Sequence, residues 1–287
     1  MRDYLELARL TNPVGTLLLL WPTLAALFVA AGGYPGVALL VIFSLGTLLM
    51  RSAGCVINDI ADRKVDGHVA RTQNRPLPTG AISTRNALIF FFALLAAAAL
   101  LVLFLNSNTV LLAMAGAGVA VLYPFMKRWT YFPQVVLGAA FSWGILMAWT
   151  ATDQWPDRTA GLLFTASLLW IVAYDTMYAM VDREDDLKVG IKSTAILFGD
   201  LDRVMIGLLQ AGTVWMLWLV GGLQEYQHGW YLGVLVFAGL SIFQQRLLKK
   251  RKPTECLAAF KNNVWAGFAL FAGVVLETVA IPVAMSQ

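Results

Sequence analysis

Residues 51–80 read RSAGCVINDIADRKVDGHVARTQNRPLPTG, and they close an apolar run that begins at residue 36. Asn58, Asp62 and Asp66 recur every four residues, and Asp59 stands three and seven residues from Asp62 and Asp66. On a helix these groups share one face. A row of carboxylates where a hydrophobic helix reaches water is costly unless something neutralises it. A hard divalent cation with oxygen ligands would do so. Arg63, Lys64, Arg71 and Arg75 follow at once. Acids that hold an ion beside guanidinium forks that grip oxygens suit a metal-bridged phosphate.

Outward from this stretch the chain is mostly apolar. Of its 287 residues 59% are hydrophobic and 13% charged, and the mean hydropathy is +0.69. Those values lie outside the range of soluble domains and within that of polytopic membrane proteins. Apolar runs long enough for a core of roughly 30 Å predict about nine spans, at 13–31, 36–58, 85–105, 109–126, 133–150, 160–181, 203–222, 229–248 and 263–283. The expected fold class is therefore an all-α polytopic membrane protein forming a single intramembrane domain over 1–287. The first dozen residues have no signal-peptide pattern and suit an interfacial amphipathic helix. Cys55 and Cys256 have no metal or disulfide spacing and read as packing residues. Neither His68 nor His228 has a ligand-like partner spacing.

Charge sets the expected orientation. Nineteen of the 21 lysines and arginines fall in, or within three residues of, the amino-terminal segment and the connections after spans two, four, six and eight. The positive-inside rule puts that side, with the amino terminus and the large loops, in the cytoplasm. The net charge of +4 is thus spread over five membrane-surface segments, including RLLKKRK at 246–252, so its role is topological and lipid-facing and no nucleic-acid partner is expected.

An echo of the first motif appears 120 residues on. Asp62-Arg63-x-x-Asp66 matches Asp182-Arg183-x-x-Asp186, each at the end of an apolar span. Spans one to four and five to eight then read as two similar halves plus a ninth helix, with the acidic faces opposed across a central cavity. Mg²⁺ prefers one or two carboxylates plus water and phosphate oxygens, so Asn58, Asp59, Asp62, Asp66, Asp182 and Asp186 are the candidate metal ligands, on two walls around a diphosphate. Deeper in the membrane lie Arg51, seven residues before Asn58, and Asp175, seven before Asp182. An ionisable group at such depth marks function or a buried ion pair; as function, Arg51 would bind a small anionic substrate and Asp175 its other polar end. Tyr123 and Lys127, one turn apart, would place a ring in the cavity and an ammonium at phosphate level.

Asn58-Asp59-x-x-Asp62-x-x-x-Asp66, Asp182-x-x-x-Asp186 and Tyr123-x-x-x-Lys127 together resemble the UbiA superfamily of intramembrane aromatic prenyltransferases. The likeness runs nearly end to end, through PVGTLLLLWPT at 13–23, RTQNRPLPTG at 71–80, YPFMKRWTYFPQVVLGAAF at 123–141 and GIKSTAILFG at 190–199, and those strings look like the 4-hydroxybenzoate-using branch. The resemblance implies nine helices around a cavity open sideways to the lipid bilayer. It also implies Mg²⁺-dependent transfer of a polyprenyl group from polyprenyl diphosphate to the ring carbon ortho to the hydroxyl of 4-hydroxybenzoate, in ubiquinone biosynthesis, in a bacterial inner membrane. On that reading Arg71, Arg75, Lys127, Lys188 and Lys192 neutralise the leaving diphosphate and Tyr123 faces the allylic cation. Arg51 holds the benzoate carboxylate, and Asp175 orients or deprotonates the phenol. Tail length and oligomeric state do not follow from the sequence. Two rivals fit less well. A CDP-alcohol phosphotransferase signature would need acids where Arg63, Thr84 and Leu88 stand, and a cation-coupled transporter would need acids along the whole pathway rather than at one end.

Overall fold

The computed structural model describes residues 1–63, 66–68 and 72–280. Among these, eleven α-helices follow one another without a strand. A short α1 (Arg2–Leu7) precedes α2 (Val14–Ala31), α3 (Val37–Asp62), α4 (Thr84–Val102), α5 (Ser107–Trp129), α6 (Pro133–Ala151) and α7 (Arg158–Val189). A one-turn α8 (Thr194–Phe198) then leads to α9 (Asp202–Leu223), α10 (His228–Leu247) and α11 (Pro253–Val275). Nine segments among the described residues are long and apolar enough to cross a membrane, and the chain is a multi-pass membrane protein.

Local chemistry sets the helix ends. Ser83, Asn106, Asp157 and Ser193 each accept a backbone N–H of the turn they begin, which satisfies donors that a helix end in lipid would otherwise leave bare. Pro133 and Pro253 open α6 and α11, where a missing N–H costs nothing. Gly190 closes α7 in the left-handed region at φ 73°.

The transmembrane helices form a ring. Each packs on its neighbour in chain order, and α11 closes the circle against α2 and α7. Successive helices pack in turn in each half, α2–α3–α4 and α6–α7–α9. The weak seam is between α4 and α5, which scarcely touch. The largest fully buried side chains lie in the second half, where Trp170, Trp230 and Phe237 are sealed. Both indoles keep a partner there: Trp170 Nε1 donates to Asn263 Oδ1 at 2.7 Å and Trp230 Nε1 to the Leu217 carbonyl at 3.0 Å. Backbones of α10 and α11 touch through Gly233 and Gly273. A Cβ on Gly233 would lie 2.7 Å from the Ala269 carbonyl oxygen, so this pair depends on small residues.

Three expected spans shift at their ends. The sixth, expected to stop at residue 181, continues as helix to Val189. The second runs to Asp62. The ninth begins at Pro253 rather than 263, because hydropathy misses a polar first turn that proline and Glu255 start well. At 1.5 Å per residue α7 is about 48 Å long and outreaches the hydrocarbon core. Its last turns carry the second acid motif.

Candidate active site

One cavity of about 740 Å³ occupies the ring. It is lined by Arg51, Asn58, Asp59, Asp62, Asp66, Arg75, Tyr123, Lys127, Asp175, Asp182, Asp186 and Lys192. The polar groups gather at one end, and the other end is apolar, with Leu95, Ala98, Val102 and Leu105 from the α4 side and Val110, Ala113 and Ala117 from α5. Twelve of the fourteen residues expected at the site therefore share one space. Lys188 does not: it is 72% exposed and pairs with Asp185 at 3.0 Å. Its place on the helix explains this, since it stands two residues from Asp186 and so points away from the acid face. Arg71 lies outside the described residues.

The first wall belongs to α3 and the turn after it. Asp59 is 1% exposed and accepts from Arg9 Nη2 at 2.8 and 2.9 Å and from Arg75 Nη1 at 3.0 Å. Arg75 Nη1 also reaches Asp66 Oδ2 at 2.9 Å, so one guanidinium spans both acids. The Thr72 hydroxyl donates to the Asp66 carbonyl at 2.8 Å and fixes the returning loop. Lys127 pairs with Asp62 and also donates to Asn58 Oδ1 at 3.3 Å. Arg128 Nη2 donates to the Ala61 carbonyl at 2.6 Å. The end of α5 is thereby tied to the end of α3. Expected as a metal ligand, Asp59 is turned onto two arginines.

The second wall is α7, on which Asp175, Asp182 and Asp186 all sit. The loop after it is stitched to α5. Lys192 N donates to the Lys127 carbonyl at 3.0 Å, and its ammonium lies 5.4 Å from the centre of the Tyr131 ring. Gln134 Oε1 accepts from Thr194 N at 3.1 Å.

Arg51 lies deepest. Its Nη1 donates to Cys55 Sγ at 2.7 Å, its head sits 5.6 Å from the Phe141 ring centre, and its Nε is buried with no partner among the described residues. Tyr123, Tyr174 and Tyr178 are close enough to interact with it electrostatically, and Asp175 with Tyr123 and Tyr174. The guanidinium rests on Gly15 of α2, where a Cβ would come within 2.7 Å of Nε. Cys55 is thus more than the packing residue expected, since it accepts from this arginine.

The oxygen-only donor set fits Mg²⁺. Asn58, Asp62, Asp66, Asp182 and Asp186 offer hard ligands on two walls of one cavity, while among the described residues no three acids converge on a single point. That is the arrangement for an ion that takes the rest of its shell from water and a ligand's phosphate oxygens.

Sequence reasoning missed Arg9, Tyr174, Tyr178, Gln134 and Gly15. Tyr174 and Tyr178 were discoverable, because with Asp175 and Asp182 they follow the three-and-four spacing of one face of α7. Arg9 carried no local signal. It stands 50 residues from its partner Asp59.

The UbiA prenyltransferase family model matches residues 19–272. A 4-hydroxybenzoate octaprenyltransferase of Tolumonas auensis is 54% identical over 275 residues, covering 96% of each chain. One of Pseudomonas aeruginosa is 55% identical over 275 residues, covering 96% of this chain and 93% of its own. Among solved structures, the apo UbiA homolog of Aeropyrum pernix K1 superposes with a TM-score of 0.81 at 21% identity, over 92% of this chain and 98% of that one. A UbiA homolog of Archaeoglobus fulgidus bound to GPP and Mg²⁺ gives 0.69 at 21% identity, over 94% and 99%. Opposed acid motifs on two walls of an intramembrane cavity and a family match over nearly the whole length agree: the chain belongs to the UbiA prenyltransferase family.

Proposed function

We propose that this protein transfers a polyprenyl group from polyprenyl diphosphate to the ring carbon ortho to the hydroxyl of 4-hydroxybenzoate, releasing diphosphate, as a step toward ubiquinone. The observation that carries this reading is the division of one cavity into an acid and cation end, a deep arginine with an unpartnered Nε, and an apolar flank. Relatives named 4-hydroxybenzoate octaprenyltransferase at 52–55% identity support it.

Asn58, Asp62, Asp66, Asp182 and Asp186 would hold Mg²⁺, which when bound offsets part of the diphosphate's negative charge. The chain's own cations do the rest. Arg75, Lys127 and Lys192, with Arg71, neutralise the diphosphate, so that the allylic C–O bond breaks with its electron pair on the leaving oxygen. A preorganised cluster of this kind, with Arg75 and Lys127 each 17% exposed, acts where water screens less and each interaction is stronger than in solution. The Tyr123 ring stabilises the allylic cation through its face without trapping it as water would. Arg51 binds the acceptor's carboxylate through its fork, and Asp175 orients or takes the phenol proton, raising electron density at the ortho carbon. Attack forms the C–C bond, and the proton on the attacked carbon passes to the released diphosphate, restoring aromaticity. The isoprenoid tail lies along α4 and α5 and leaves through their loose seam into lipid. By its charge distribution the polar end faces the cytoplasm, in a bacterial inner membrane.

The test is incubation of the purified protein in lipid with labelled 4-hydroxybenzoate, a polyprenyl diphosphate and Mg²⁺. The expected result is a lipid-soluble labelled product that chelation of the metal suppresses. No product from folded protein overturns the reading.

A further inference from the structure

The amino-terminal helix ends in an unusual residue. Arg9 has φ 56°, in the left-handed region where a helix is normally closed by glycine. Its backbone N–H still closes the turn onto the Glu6 carbonyl at 3.0 Å, and Leu10 N returns to Leu5 at 2.9 Å. Glycine would make this stop with less strain, so what the position gains from arginine is the side chain.

That side chain is aimed with care. Nη1 donates to the Glu6 carbonyl at 2.7 Å, and Nη2 holds both oxygens of Asp59. The helix itself is fixed to the bundle: Leu7 is fully buried in a cluster with Val56 of α3 and Phe91 of α4, and Tyr4 meets Phe90 edge-on at 5.2 Å. Arg75 grips Asp59 from the other side. The result is layered. Asp59 is 1% exposed, whereas Arg9 and Arg75 are 25% and 17% exposed and line the cavity. All three groups line the cavity, and the two guanidiniums are the ones more open to a ligand at this end.

We infer that Arg9 is a binding residue for the diphosphate head of the prenyl donor, and that Asp59 is the positioning residue that aims Arg9 and Arg75 at it. This rests on the transferase reading above and assigns α1 to the donor site. Two forks converging from α1 and from the loop before α4 suit a dianionic head better than a single carboxylate.

Steady-state kinetics with geranyl diphosphate and 4-hydroxybenzoate, varied separately, test this on Arg9→Ala, Arg9→Lys and Asp59→Asn. Losing a charge-assisted bond to phosphate raises the donor KM by roughly 10- to 100-fold, and the acceptor KM should stay within about twofold. Arg9→Lys, which keeps the charge and loses the fork, should fall between. Arg9→Ala/Asp59→Asn should be no worse than Asp59→Asn alone, since Asp59 already governs the contact that Arg9→Ala removes as well as that of Arg75. A readout independent of turnover is thermal stabilisation by inorganic diphosphate with Mg²⁺, expected to shrink in Arg9→Ala relative to wild type. Equal rises in both KM values, or undiminished stabilisation by diphosphate, would make Arg9 a merely structural clamp and overturn the inference. If the wild type forms no product, the transferase reading fails first. If it does and Arg9→Ala keeps the donor KM, only the assignment of Arg9 fails.

Discussion

The same five-residue pattern, Asp-Arg-x-x-Asp with a basic loop after it, builds two different walls. On the first, α3 stops at Asp62 and Asp66 sits in a turn beyond it, and the acids are held from the cavity side by Arg9, Arg75 and Lys127. On the second, α7 continues unbroken past Asp186 and is braced from behind. The arginine within each pattern shows the contrast. Arg63 donates to the Ile60 carbonyl of its own helix at 2.8 Å. Arg183 instead leaves the cavity and pairs with Asp202, a fully buried carboxylate that also takes Arg251 Nε at 2.9 and 3.1 Å. A repeat in sequence thus preserves the cavity-lining acids while each half solves the support problem separately. The first wall is held by cations from α1, α5 and the loop before α4. The second is fixed by an ion-pair node joining α7, α9 and the connection before α11.

The contrast can be broken at several points. The largest effect is expected from the acids themselves: Asp62→Ala and Asp182→Ala should each lower kcat by roughly 10²–10³ or more, the scale of losing preorganised charge stabilisation, as measured by labelled product formation. Next is the node. Asp202→Asn leaves Arg183 and Arg251, 23% and 37% exposed, without a charge partner, a loss that solvent screening holds to about 1–3 kcal/mol, visible as a lowered midpoint in thermal or denaturant unfolding. Gly15→Ala should displace the Arg51 head from its seat and raise the KM for 4-hydroxybenzoate about tenfold while sparing that for prenyl diphosphate. Arg51→Ala should do the same more strongly. Smallest is Arg63→Ala, expected within about 0.5 kcal/mol of wild type in stability. A loss there as large as that of Arg183→Ala would show that the two arginines serve alike and that the walls are not different.

Much of this was legible in the chain. Nine apolar runs gave the spans, since backbone in lipid has almost no choice but to be helical. The four-residue spacing of the acids placed them on helix faces, and depth along the helix separated Arg51 and Asp175 from the phosphate-level groups. What stayed hidden depends on contacts between distant segments. Arg9 reaching Asp59 and Arg183 reaching Asp202 leave no periodic trace. Lys188 illustrates the limit in the other direction: a basic residue near the motif by sequence, yet on the opposite side of its helix, paired with Asp185. Helix ends were the other gap, because a transmembrane helix that runs on into water, as α7 does, changes polarity without changing structure.

On the transferase reading, both walls grip one diphosphate in one cavity. The most direct measurement is a double-mutant cycle on labelled product formation by wild type, Asp62→Ala, Asp182→Ala and the double variant, in lipid with Mg²⁺ and geranyl diphosphate. Two walls serving a single ligand predict strong coupling, with the double variant no slower than the poorer single by more than a few-fold. Fully additive losses, each wall contributing its whole effect regardless of the other, would contradict the account.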